Sequence, residues 1–365
     1  MKDLLKKELV DLTAELVRFQ SMHTLPEEIN RCACYIEEYL DQYQIPYQRM
    51  DCEGIPSILA MPACGSAPVL LMSHIDVVAA DAALFEPIEK DGRLFGRGTL
   101  DDKYAVALSL VLLKELTLRF RENKRDEAEL PLGVLITGDE EIGGQNGAKK
   151  ALAHVKTDFC IALDGGSLKK IVTKEKGIIH LKLTAGGVAA HGSRPWLGEN
   201  AIENLMADYE VIKTFFEETR EDRWHRTINF GFIRAGESIN QVPDRAEAIF
   251  DIRYTENDDV KSLLSAMSGK VKGDLEVIKQ ESIFLGGNSR YLDRLLGVAE
   301  ESRTAFEHGA SDARFLKEFG INGIVWGADG QGTHAKNECV NIDSLHEMYC
   351  ILDVFLSGLI KTEDS

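Results

Sequence analysis

The sequence predicts an α/β domain, built on a mainly parallel sheet with helices on both faces and interrupted by a smaller α+β domain with an antiparallel sheet. Three observations carry this expectation. At 365 residues the chain exceeds the roughly 250–300 at which a single core stops growing. Over residues 1–175, continuous apolar runs such as "APVLLMSHIDVV", "LPLGVLITG" and "DFCIALDGG" alternate with helical patterns such as "DKYAVALSLVLLKEL", as expected of parallel strands buried on both faces. From 176 to 282 the strands alternate strictly instead, through Ile179, Leu181 and Leu183, then Ile228, Phe230 and Phe232, then Ala248, Phe250, Ile252 and Tyr254. That period of two marks a sheet with one wet face.

The chain opens on "MKDLLKKELVDLTAELVRFQ", where Leu5, Leu9, Leu12 and Leu16 recur at helical spacing between charges; this is an amphipathic helix and not the apolar core of a signal peptide. No apolar run approaches the ~20 residues of a membrane span. The charged stretch "RFRENKRDEAE" at 119–129 reads as a solvated loop. Within the inserted region "AIENLMADYEVIKTFF" supplies a helix to cover the sheet. From 283 to 365, "YLDRLLGVAEE", "ARFLKEFG" and "INGIVWGADG" restore the character of the first part. The two outer segments, 1–175 and 283–365, therefore form one discontinuous domain around the insertion. With 42 basic against 60 acidic residues and a formal charge of -18, the chain repels a phosphate backbone, which excludes nucleic acid and leaves small molecules, metal cations or proteins as partners. Its seven cysteines are odd in number and scattered, which favours reduced thiols and a cytoplasmic location.

Chemistry-bearing residues collect at the ends of the apolar runs. "VLLMSHIDVV" ends in His74 and Asp76, "LGVLITGDEEIGG" in Asp139, Glu140 and Glu141, "FCIALDGG" in Asp164, and "GIVWGADGQGTHAKNE" leads to His334. A fifth segment, "GRLFGRGTLDDKYA", sets Asp101 and Asp102 in a glycine-rich turn before a helix. Any one of these acids alone is most simply a helix cap. Together they occupy the carboxyl ends of strands, where open parallel sheets bind ligands. Carboxylates gathered there repel one another and require a cation; two imidazoles with several carboxylates and no thiolate suit zinc, with cobalt or manganese as substitutes. Strand residues i and i+2 share a face, so Asp76 can accept a hydrogen bond from the His74 ring and fix its tautomer. Neighbouring acids in "EE" point different ways, so one can bind metal while the other faces substrate as a base.

The ordered series "SHIDVV", "GRGTLDDK", "TGDEEIGG", "LDGG", "AHGSRPWLGENAIENL", "INQVPDRAEAIFDIRYT", "GASDARF" and "THAKNE" resembles the co-catalytic di-zinc aminoacylase and carboxypeptidase family. That family includes acetylornithine deacetylase, succinyl-diaminopimelate desuccinylase, carboxypeptidase S and carnosine dipeptidases. The resemblance implies a metal-dependent hydrolase cleaving an amide in a small N-acyl amino acid or short peptide with a free carboxylate. It implies that His74 and Asp164 bind one zinc, that Glu141 and His334 bind the other, that Asp101 bridges them across a cis Asp101–Asp102 peptide, and that Glu140 is the general base. It assigns His191 to the developing oxyanion, Arg314 and Asn240 to substrate binding, and the inserted domain to a lid and a homodimer contact. "DDKY" departs from the glycine that many relatives carry after the lysine, and "DDK" leans towards the carboxypeptidase and dipeptidase branches. A deacylase of the desuccinylase type is the alternative within the family. A phosphoesterase would use the same ligands but lacks a Lys and Arg cluster for phosphate, and an idle metal-binding relative would be expected to have lost a ligand or the base.

Overall fold

The computed structural model describes residues 2–360. The chain divides into two compact units, the first made of residues up to Lys174, Leu285–Glu307 and Ser311 onward, the second of Glu175–Phe284 with His308–Ala310. Among the described residues no helix is long and apolar enough to cross a membrane, and none of the seven cysteines is in a disulfide.

The first unit is built on a mixed sheet whose strands run in the order Gln48–Cys52, Ile55–Ala60, Leu132–Thr137, Ala67–His74, Thr157–Ala162, Asn322–Val325 and Lys170–Glu175. The four central strands from Leu132–Thr137 to Asn322–Val325 are parallel. Flanking strands join antiparallel, Ile55–Ala60 on one side and Lys170–Glu175 on the other. Residues of alternating orientation are buried on both faces of the central strands: Val69, Leu71, Val134 and Phe159 belong to one large core cluster, while Leu70, Met72, Leu135 and Cys160 face the other way and are as deeply buried. The helices Lys2–Val17, Pro26–Gln42, Lys103–Glu122 and Ile342–Ser357 all contribute to that cluster. Lys103–Glu122 is buried on nearly every side, because its face towards the sheet and its face towards the terminal helices are both lined by Ala, Val and Leu.

That helix extends into the segment read as a loop, as far as Glu122, and residues 123–126 beyond it are turn or irregular. Its charges are neutralised locally: Arg119 pairs with Asp353 and Arg121 with Glu127. Side-chain pairing let the helix continue where composition alone suggested a break.

The second unit holds a four-stranded antiparallel sheet in the order Thr227–Ala235, Arg245–Tyr254, Gly177–Gly186 and Asp274–Glu281. Burial alternates residue by residue along Gly177–Gly186 and along Arg245–Tyr254, the period-two pattern of the sequence; along Thr227–Ala235 a bulge between Phe230 and Phe232 breaks the expected alternation and leaves Phe232 exposed. Helices Ala201–Lys213 and Val260–Ser268 cover the apolar face, where Phe250 stacks on Tyr209 at 5.5 Å between centroids and meets Phe230 edge-on at 5.0 Å. Phe250→Ala removes the centre of this aromatic trio from a fully buried position and is expected to cost about 3–5 kcal/mol, read as a fall in the urea midpoint for unfolding of the second unit.

Candidate metal centre

Parallel strands deliver their carboxyl ends to one edge of the first unit, and the side chains singled out above converge there. His74, the last residue of its strand, is 1% exposed. Its Nε2 lies 3.1 Å from Asp101 Oδ1 and 4.0 Å from Asp164 Oδ2. The second oxygen of Asp101 lies 3.0 Å from His334 Nε2, which in turn is 3.3 Å from Glu141 Oε2. Asp101 thus stands between two imidazoles, one facing each carboxylate oxygen. Two groups of potential ligand atoms result, His74 with Glu140 and Asp164, and Asp101 with Glu141 and His334, the atoms of each group lying within 4.8 Å of one another. Asp101 and Asp102 are joined by a cis peptide.

Asp76 organises this edge from behind. It is fully buried, and its carboxylate accepts the backbone N–H groups of Glu140 at 3.1 Å and Glu141 at 2.9 Å. Its Oδ1 is 3.3 Å from His74 Nδ1, which also hydrogen-bonds the Asp76 carbonyl at 2.9 Å. The i, i+2 relation therefore fixes the His74 ring through backbone and side chain together. Burial opposes the charge on Asp76, but bonds from His23 and His74 hold its carboxyl well below the usual range.

The acids around it are pushed the other way. Burial raises Glu140 well above the ordinary value for a carboxyl, and the charges of Asp164 and Asp312 add to it. Burial, then Asp101, pushes Glu141 up to about 7. Burial would lower the His74 imidazole, but Asp101 and Asp76 outweigh it and raise it well above its ordinary value. Four carboxylates (Asp101, Glu140, Glu141 and Asp164) and two imidazoles at one edge, buried or half-buried except for the exposed His334, cannot all carry their preferred charges alone. Two divalent cations would balance the four negative charges, and the oxygen and nitrogen donors, with no thiolate, match that chemistry. The residues present fit such a pair.

Arg314 is buried, with its guanidinium over the Phe315 ring at 4.5 Å, one Nη 3.4 Å from Asp312 Oδ1 and the other 3.8 Å from Glu140 Oε1. It stands beside Glu140. Asp312 lies so close to Gly144, whose φ is +61°, that a Cβ there would sit 2.0 Å from its Oδ1. His191 and Asn240 lie in the second unit, where Ala190–His191 pairs antiparallel with Gln241–Val242 and the Gly192 N–H donates to the Asn240 carbonyl at 2.6 Å. A Cβ at Gly192 would meet the Asn240 backbone at 3.0 Å, so the close approach of the two segments needs glycine there. Both residues are exposed. Arg253 is a local ion pair with Asp251, at 2.7 Å.

Two organisers of the site carried no signal of their role in the sequence. His23, in the connection between the first two helices, places Nε2 2.9 Å from Asp76 Oδ2. Glu338, 2% exposed, accepts the N–H groups of Gly98 at 2.9 Å, Leu100 at 3.0 Å and Asp101 at 3.2 Å on one oxygen and pairs with buried Arg97 on the other. It closes the "THAKNE" segment, but nothing in that string shows that its carboxylate holds a turn more than two hundred residues away. Glu338→Ala would leave three N–H donors and a buried guanidinium without their carboxylate; it is expected to cost about 3–5 kcal/mol, measured by urea unfolding, with Glu338→Gln recovering only the part its amide oxygen returns to the three N–H groups.

Comparison with known proteins places the chain in a lineage. The family model for Peptidase family M20/M25/M40 matches residues 70–357. An uncharacterized metallohydrolase of Methanocaldococcus jannaschii is 26% identical, over 94% of this chain and 97% of its own. A succinyl-diaminopimelate desuccinylase of a Sulfurovum species is 25% identical, over 93% of this chain and 96% of its own. The crystal structure of a tripeptidase from Staphylococcus aureus shares the fold, with a TM-score of 0.79 at 20% identity, over 98% of this chain and 99% of that one. With its strand-end acids and histidines inside the matched span, this chain belongs to the M20/M25/M40 peptidase family of hydrolases.

Proposed function

We propose that the protein hydrolyses the amide bond of a small N-acyl amino acid or short peptide bearing a free carboxylate, with two divalent cations, zinc in the first instance and cobalt or manganese as substitutes. The observation that carries this reading is Asp101, whose two oxygens face His74 and His334 at 3.1 and 3.0 Å, the disposition a bridging carboxylate needs. His74 and Asp164 would hold one cation and Glu141 and His334 the other. Cations held there supply Lewis acidity to the scissile carbonyl and acidify the attacking water.

The chain's own residues do the rest. Glu140 takes the proton of the attacking water and returns it to the departing nitrogen; its carboxyl lies within 4.8 Å of ligand atoms of His74 and Asp164, within reach of a water held there. Asp76 holds Glu140 and Glu141 by their backbone N–H groups, so base and ligand keep a fixed spacing. His191 is assigned to the developing oxyanion, and Arg314 and Asn240 to the substrate carboxylate. The inserted unit is read as a lid and as the contact of a homodimer, and the protein as cytoplasmic. A deacylase is the second reading, favoured by the desuccinylase relative at nearly full coverage, whereas the "DDK" turn favours a peptidase.

Glu140→Gln should lower kcat by roughly 10²–10⁴-fold, the range for loss of a general base, with metal content unchanged by elemental analysis; an active variant would remove Glu140 from the mechanism. A chelator should abolish turnover of a panel of dipeptides and N-acyl amino acids, and zinc or cobalt should restore it. Because a ligand must be deprotonated and Glu141 is pushed up to about 7, metal affinity should rise with pH through neutrality. Titration calorimetry near pH 6 in buffers of different ionisation enthalpy should detect protons released on binding.

A further inference from the structure

Residues 19–23, which lie outside the segment matched by the family model, are stitched to the His74 motif at several points. The Val77 N–H donates to the Ser21 carbonyl at 3.0 Å, and Ser21 Oγ donates to the Ile75 carbonyl at 2.5 Å. Lys103 Nζ, directly after the Asp101–Asp102 pair, donates to the Phe19 carbonyl at 2.6 Å. These bonds bring His23 over Asp76, where Nε2 lies 2.9 Å from Oδ2. An ionised carboxylate only accepts hydrogen bonds, so Nε2 is the donor.

From this geometry we infer that His23 is a positioning residue for the hydrolytic site, acting through Asp76. The inference rests on the reading of Glu140 and the metal ligands given above. Asp76 Oδ2 accepts two donors, His23 and the Glu141 N–H, while Oδ1 accepts the Glu140 N–H and faces His74. The carboxylate has no exposed surface, so each donor lost leaves its charge less well matched in a medium that does not forgive it. Without His23, Oδ2 keeps a single backbone donor, and the carboxylate is held less firmly against rotation about its Cβ–Cγ bond. Such a turn lengthens the bonds that fix the Glu140 backbone and the His74 ring. The base and two cation ligands, His74 and Glu141, would lose their common support together, although His23 touches neither metal nor substrate. Partners that orient a ligand in this way typically change metal affinity or activity by about 10–100-fold.

The test compares His23→Leu, His23→Asn and His23→Gln with the full-length parent. Gln carries an amide nitrogen about as far from the backbone as Nε2 and can keep the bond to Asp76; Asn is too short and Leu has no donor. Each protein is titrated with zinc by calorimetry, assayed for kcat and KM on the best dipeptide or N-acyl amino acid of the parent, and melted. The Leu and Asn variants should lose about 10–100-fold in kcat and in zinc affinity, with KM within about twofold, and Gln should recover most of both. If Leu does not fold, Asn against Gln decides alone. Parental kcat and zinc affinity in the Asn or Leu variant would overturn the inference. So would a Gln variant no better than Asn, which would mean that the ring only fills space. A parent that binds no zinc and cleaves nothing on the panel would instead sink the proposed function itself.

Discussion

Everything at the carboxyl edge of the first sheet follows from one electrostatic constraint: carboxylates brought together out of water must share counter-charge or protonate. Asp101 shows one solution and Glu141 the other. The Asp101 carboxyl sits between two imidazoles, whose bonds outweigh its burial and keep it well below its ordinary pKa, whereas Glu141, a few ångströms away, is pushed up to about 7. The difference between two acids of one cluster is the direction in which imidazoles and neighbouring carboxylates face them. A cation placed among them removes the conflict for both. The same constraint explains why the backbone N–H groups of Glu140 and Glu141 are spent on Asp76 and why Glu338 gathers three N–H donors from the Asp101 turn. Charge that must stay buried is held by dipoles that cannot leave.

Much of this edge is legible in the sequence because its signals are local. A run of apolar residues ending in His74, with Asp76 two positions on, states both the strand and the direction of its last side chains. The glycine-rich turn before Lys103 announces a helix start with two acids on it. The alternation through Ile179, Leu181 and Leu183 announces a sheet with one covered face, and burial along that strand follows it residue by residue. Patterns of this kind depend only on backbone period.

What periodicity could not reveal is pairing. Ile55–Ala60 is almost entirely buried and reads like the central strands, yet it runs antiparallel to Leu132–Thr137, because strand direction depends on connections outside the strand. His23 and Glu338 are single polar residues in connecting segments, without a repeating neighbour to mark them. Their importance comes from partners 53 and 237–241 positions away. The motif alone marks Arg314; its contact with Glu140 and its stacking on Phe315 come from the packing of the short helix that carries it against the sheet.

The discontinuity of the first unit bears on how the site comes into being. His74, Asp101, Glu140, Glu141 and Asp164 all precede the second unit, whereas His334 and Glu338 follow it. During synthesis the early segment leaves the ribosome with its acids but without the histidine and carboxylate that complete and brace them. For the time needed to translate some 170 residues, at about 5–20 per second, the nascent chain carries every proposed ligand but His334, and the site has an open flank. On the proposed ligand set, ion capture at full strength waits until the polypeptide has passed His334, so the inserted unit is made before the site can be completed.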